Sequence, residues 1–159
     1  MSKDFTHLDD EGRPSMVDVG GKKVTQRLAR ARSVVVLSDE ILQHLEGDDI
    51  KTKKGPVFQT AIIAGVMAAK KTGELIPLCH PLGLDNCQVD IYFNDDREVV
   101  VECTASLSGK TGVEMEALTG ATLAALTIYD MCKAFSHDIV IRETRLMEKR
   151  GGKSDFKHD

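Results

Sequence analysis

At 159 residues with 42% hydrophobic side chains, the chain can bury one substantial core and is most simply a single domain. A formal net charge of −4 with only 4% aromatic residues excludes the basic surface and stacking platforms of a nucleic-acid-binding protein, so a polyanionic ligand has to be met by locally clustered lysines. Cys79, Cys87, Cys103 and Cys132 have no C-x-x-C spacing, and no signal peptide or membrane span is legible, which reads as four reduced thiols in a cytoplasmic protein without membrane association.

In chain order, residues 1–26 are polar and Gly-rich apart from MVDV at 16–19, and are expected to form an extended arm that can still donate to a site. Residues 28–37, LARARSVVVL, suit a strand covered on both faces. Ser38 then caps a short helix with Asp39 and Glu40 in its first turn, Ile41, Leu42 and Leu45 inward, and Gly47 at its end. Residues 48–56 read as a charged loop. Pro56 opens a second helix, on which Phe58, Ala61, Ile62, Gly65 and Ala69 recur at helical spacing and which ends near Gly73. In LIPLCHPLG, Cys79 and His80 stand between two prolines, which makes a stiff loop.

Cys87, Val89, Ile91 and Phe93 alternate with polar residues, as do Val99, Val101, Cys103, Ala105 and Leu107, across an Asn94-Asp95-Asp96-Arg97 turn. That pattern is an antiparallel hairpin with one wet face. The stretch from Ser108 to Ala134 reads as one long helix starting near Gly112, with Thr111 and Glu114 as a capping box. From Ala117 to Met131 its only charged residue is Asp130, so it is expected to be buried on more than one side. Leu118, Ala121, Thr122, Ala125, Tyr129 and Cys132 form a stripe for the domain core. Glu116, Thr119, Gly120, Leu123, Thr127 and Asp130 form a second stripe, which suggests a subunit interface containing a polar site. Residues 137–149 make a final strand, and 149–159 a mobile basic tail.

The order β-α-α-β-β-α-β contains the split β-α-β plan. It predicts an α+β, ferredoxin-like domain with an antiparallel sheet and helices on one face. SGKTG is not a nucleotide-binding loop, because Thr104 stands where G-x-x-x-x-G-K-[ST] requires its first glycine. The chemistry then falls to His80, Asp130, Lys133, Glu114, Glu116 and scattered lysines.

The blocks MVDVGGKKVTQRLARA, KKGPVFQTAIIAGVMAAKKTGELIPLCHPL and SGKTGVEMEALTGATLAALTIYDMCKA resemble the molybdenum cofactor biosynthesis protein C family, the cyclic pyranopterin monophosphate synthases. The resemblance runs from His7 to Phe156. It implies conversion of 3′,8-cyclo-7,8-dihydroguanosine 5′-triphosphate to cyclic pyranopterin monophosphate with loss of pyrophosphate, by a hexamer built as three dimers. It also implies catalytic roles for Asp130 and Lys133 and, as a ligand and proton donor, His80. Substrate contacts are implied for Leu78, Cys79, His80, Met115 and Glu116, and cationic contacts for Arg27, Lys54, Lys70 and Lys149. Glu114, beside that pair, is expected among the substrate-binding residues too, although the cap explains it structurally. The tail, GGKSDF, is one residue shorter than the family's GGKSG-D-F.

The resemblance fits the chemical demand, since proton transfers call for positioned acids and bases and departing pyrophosphate calls for cations. No cluster of metal ligands is evident, so no protein-bound metal or other cofactor is expected, and magnesium enters with the triphosphate. A small-molecule-binding regulatory domain would also explain a pocket, but not an Asp-Lys pair in an apolar helix. An assembly scaffold would explain the second stripe, but not the lysines. Glu116 and Asp130 lie roughly 21 Å apart along one helix. The expected remedy is a two-fold axis packing the helix antiparallel to its copy across Thr119, Gly120 and Leu123, with Gly120 and Ala124 permitting close approach and each dimer holding two shared sites.

Overall fold

A computed structural model describes residues 6–159, so residues 1–5 of the expected arm lie outside the described residues. The Val-rich segment forms the central strand β1 (Thr25–Leu37), flanked by antiparallel β6 (Val99–Gly109) and β7 (Ile139–Arg150). Ala29, Ala31, Val35 and Leu37 join the core at alternate positions, and Val34, buried as well, stands out of that phase. The hairpin partner β5 (Asn86–Phe93) closes one edge with Cys87 opposite Ala105 and Phe93 opposite Val99. Its turn is held by Asn94, whose side-chain oxygen accepts from the Asp96 and Glu98 backbones, while Arg97 takes a positive φ of 58°.

Two long helices, α2 (Val57–Lys70) and α4 (Glu114–Cys132), lie on one face of this sheet, which gives the ferredoxin-like α+β plan. Ala117, Ala121, Ala124, Ala125 and Ile128 of α4 are fully buried in the core. Between β1 and α2 stand the one-turn α1 (Asp39–Leu42) and three short strands, β2 (Leu45–Glu46), β3 (Asp49–Thr52) and β4 (Gly55–Pro56), which pair as a small sheet. The expected loop at 48–56 is thus a hairpin. Leu45 lies on its exposed strand rather than inward, and Gly47 turns β2 into β3 with φ 65° instead of ending the helix. A further turn, α3 (Thr72–Leu75), separates the end of α2 from the proline-bounded loop.

Three other expectations are corrected. No capping box forms: Val113 is the N-cap of α4, and among the described residues no side chain caps the helix and the buried Thr111 hydroxyl has no partner. Glu114 turns away toward Lys149, which removes the acid the box needs. The stripe of Thr119 and Gly120 is not a free surface, because α2 of the same chain covers it. A Cβ on Gly65 would lie 3.0 Å from the Gly120 carbonyl and 3.2 Å from Ala124 Cβ, so the small residues serve helix–helix contact within one chain. Thr122, expected in the core, is exposed. The terminal segment folds back as β8 (Phe156–Lys157), pairing with Glu148 and Lys149 at the edge of the main sheet. No helix among the described residues is long and apolar enough to cross a membrane.

Candidate active site

The C-terminal end of α4 carries Asp130 with Lys133 one turn on, their charged atoms 3.2 Å apart. The second cation comes from far away in sequence: Lys54 Nζ lies 3.1 Å from the other oxygen of Asp130. Lys54 sits at the tip of the β3–β4 hairpin, whose turn is fixed by the Thr52 hydroxyl accepting from the Lys54 backbone and donating to the Gly55 carbonyl. Lys54, first, and then Lys133 hold the Asp130 carboxyl below the usual carboxylate range. The expectation of apolar surroundings is corrected, since the three side chains are 60%, 52% and 48% exposed in the single chain. The charge-free run of α4 faces the core, while this end projects past it.

At the N-terminal end of α4, a cleft of about 300 Å³ gathers Leu78, Cys79, His80, Glu114, Met115 and Glu116 with Val17, Val19 and Lys22 of the arm. The loop is braced from below, where α3 packs so close that a Cβ on Gly73 would come within 2.9 Å of Pro81. His80 donates from Nε2 to the Val17 carbonyl at 2.6 Å, which makes Nδ1 the ring nitrogen that can accept a proton. Glu116 is 5% exposed, and its Oε2 has no hydrogen-bond partner among the described residues. Burial, reinforced by the neighbouring Glu114 charge, pushes its carboxyl up to about 7. Burial and then Glu116 also push the Cys79 thiol up. A carboxyl that titrates near neutrality beside an imidazole suits proton transfer.

Lys22, Gly112 and Glu114 also border a second cleft of about 450 Å³, lined by Lys23, Arg27, Lys149, Arg150 and Lys153. Lys149 pairs with Glu114 at 3.4 Å, and the Arg27 guanidinium donates to the Gly109 and Lys110 carbonyls. The Gly151-Gly152 turn closes one wall. Its first residue has φ 92° and packs on the Gln26 carbonyl where no side chain fits, and the Thr25 hydroxyl donates to its carbonyl at 2.7 Å. A cleft with this excess of cations suits a polyphosphate.

One chain therefore brings His80, Glu116 and the Arg27–Lys149 cleft together at one end of α4, and Lys54, Asp130 and Lys133 together at the other. It does not join the two groups. Lys70 belongs to neither, lining a separate cavity with Val66, Leu82, Asp85 and Cys87. Sequence reasoning missed Lys22 as a wall shared by both clefts, and Val17 as the acceptor for His80. The lone MVDV island in a polar arm was the available signal for the second. It also missed Asp49, a buried acid in a segment read as a charged loop.

A family model described as the MoaC family matches residues 16–152. The chain is 51% identical over 152 residues to the cyclic pyranopterin monophosphate synthase of Xanthomonas oryzae pv. oryzae, covering 96% of this chain and 92% of that protein. It is 52% identical over 153 residues to the protein of the same name from Desulforapulum autotrophicum, covering 95% and 92%. Against molybdenum cofactor biosynthesis protein 1 of Dictyostelium discoideum it is 47% identical over 170 residues, spanning 96% of this chain but 27% of that longer protein.

Proposed function

The chain belongs to the MoaC family, and on that premise we propose that it is a cyclic pyranopterin monophosphate synthase of molybdenum cofactor biosynthesis. In this reading it is a lyase that converts 3′,8-cyclo-7,8-dihydroguanosine 5′-triphosphate to cyclic pyranopterin monophosphate and pyrophosphate. The observation that carries the reading is the adjacency of the neutral-range Glu116 carboxyl and His80 to a cleft lined by five lysines and arginines beside Lys22. Rearrangement of the ring system needs groups that exchange protons near pH 7, and departure of pyrophosphate needs cations around the developing charge.

Within this account Lys22, Arg27 and Lys149 hold the polyphosphate, and Leu78, Cys79, Met115 and His80 Nδ1 contact the ring system. Glu116 exchanges a proton with it. Asp130, kept ionised by Lys54 and Lys133, is the second acid–base group, with Lys133 as its proton partner. Magnesium enters as the counter-ion of the triphosphate, and the enzyme works in the cytoplasm.

Glu116 and Asp130 are roughly 21 Å apart along α4, beyond the reach of one small substrate. We place their meeting between two copies. With Thr119 and Gly120 covered by α2, the contact face is the outer side of the helix pair. There Met115, Leu126, Ile63 and Met67 are 37%, 50%, 61% and 51% exposed. Antiparallel packing of that face about a two-fold axis sets the Glu116 end of one chain beside the Asp130 end of the other, giving two shared sites per dimer. Three such dimers make the hexamer.

The test is direct. Purified protein incubated with the cyclo-triphosphate is expected to release pyrophosphate and yield a pterin that becomes fluorescent on oxidation. Binding without conversion would instead make it a regulatory ligand-binding domain.

A further inference from the structure

Asp49 is a buried carboxylate, 5% exposed, that the reaction as read above does not use. Its Oδ1 accepts the backbone N–H groups of Ile50 and Phe58, each at 2.7 Å, and its Oδ2 accepts that of Gln59 at 3.2 Å. Phe58 and Gln59 lie in the first turn of α2, where backbone donors lack partners in the helix and where Pro56 offers no side-chain acceptor. The carboxylate that satisfies them comes from nine residues upstream, on β3. Between Asp49 and α2 the chain runs out along β3, turns at Lys53-Lys54 and returns along β4. The bonds from Phe58 and Gln59 therefore fasten the outgoing and returning ends of one hairpin to each other, that from Ile50 fixes the Asp49 carboxylate on β3, and the Thr52 hydroxyl fixes the tip.

Lys54 is at that tip, and its ammonium reaches Asp130 at 3.1 Å. Burial, and after it the Asp49 charge, also pushes the thiol of Cys132 in the last turn of α4 up to about 11. An exposed lysine on a free loop gains little from an ion pair, because it must surrender side-chain and loop entropy to hold one geometry. A clamped hairpin removes most of the loop part of that cost in advance.

We propose that Asp49 is a positioning residue, which clamps the β3–β4 hairpin to the start of α2 and so holds Lys54 against Asp130. The functional weight of the proposal rests on the reading of Lys54 and Asp130 as parts of the active site.

Asp49→Asn and Asp49→Ser in the full-length chain test it. Serine is common at helix starts and keeps an acceptor for α2 if asparagine does not fold, while losing the span that fastens both ends of the hairpin. Three quantities are read in protein that melts above the assay temperature: the carboxyl titration of Asp130 by carbon-13 resonance, kcat, and KM, with Lys54→Ala as reference. In either variant the Asp130 titration is expected to move at least half-way toward its position in Lys54→Ala. A fall in kcat of about tenfold is expected with it, and the double variant Asp49→Asn/Lys54→Ala should be no slower than Lys54→Ala. An unmoved Asp130 titration in a folded variant overturns the proposal, as does an equal slowing of the Lys54→Ala enzyme and the wild type. If the titration moves in both Asp49 and Lys54 variants while turnover is untouched in both, the clamp stands and the catalytic reading of the Lys54–Asp130 pair falls.

Discussion

Lys54 and Asp130, 76 residues apart in sequence, meet at 3.1 Å where a hairpin tip reaches the end of α4. Together with Lys133 this gives one carboxylate a cation on each oxygen, at a place largely open to solvent in the single chain. Exposed ion pairs add little to folding, so the arrangement is better understood as chemical than as structural. Replacing Asp130 or Lys133 by alanine should abolish turnover and leave the thermal transition close to wild type. Activity above a tenth of wild type in both variants, measured as pyrophosphate release, would remove the catalytic assignment.

Glu116 makes a pH-dependent contribution of predictable sign. Its carboxyl titrates at about 7 in the folded chain against an ordinary value of 4.5, so the folded state holds the proton over a range where the unfolded chain has lost it. Stability therefore falls as pH rises from about 4.5 to 7, and the full penalty is present above 7. Glu116→Gln should be the more stable protein at pH 8, by on the order of 3 kcal/mol, with the gap closing as pH falls toward 4.5. Denaturant titrations across that range measure it, and parallel curves would show that the site already offers Glu116 a partner.

Gly120 is a packing residue of the chain itself. A Cβ there would lie 2.5 Å from the Cys103 sulfur and 3.1 Å from the Gly65 carbonyl, neither of which can yield freely. Gly120→Ala should cost about 1–3 kcal/mol, read as a melting temperature lower by several degrees. An unchanged melting temperature would mean that α2 and α4 are less closely packed than described.

How much of this could be read from the letters depends on the range of the forces involved. Val34 and Val35, the alternation from Cys87 to Phe93 and the turn at Asn94 declare themselves locally, and with them the sheet and the ferredoxin-like plan. The PLCHPL loop and the pair of Asp130 and Lys133 one helical turn apart are local too. The helical period shows that Thr119 and Gly120 need a neighbour but not which one, and Gly65 on α2 is as good a neighbour as a second copy. Thr111 and Glu114 have the spacing of a capping box, but Lys149 competes for the acid from far along the chain. Strands of two to four residues such as β2, β3 and β4 are too short to alternate, so the clamp made by Asp49 leaves no periodic trace.

Lys149 should act on binding more than on turnover. Removing one charge-assisted contact to a phosphate is worth roughly 1.5–3 kcal/mol, so Lys149→Ala should raise KM for the triphosphate by about tenfold or more while kcat changes little. The effect should shrink as salt is raised, because the cleft is open to solvent. A loss confined to kcat would move Lys149 from holding the polyphosphate to the chemical step.

The central claim is that each site is completed by two chains, with Asp130 and Lys133 from one and Glu116 and His80 from the other. Asp130→Ala and Glu116→Ala proteins, each inactive alone, are dissociated, mixed and reassembled, and pyrophosphate release is measured on mixed oligomers verified by mass. The account predicts recovery of about one wild-type site per mixed dimer, since one of its two shared sites then carries neither substitution. Mixed dimers that remain inactive would contradict it, and would place a complete site within each chain.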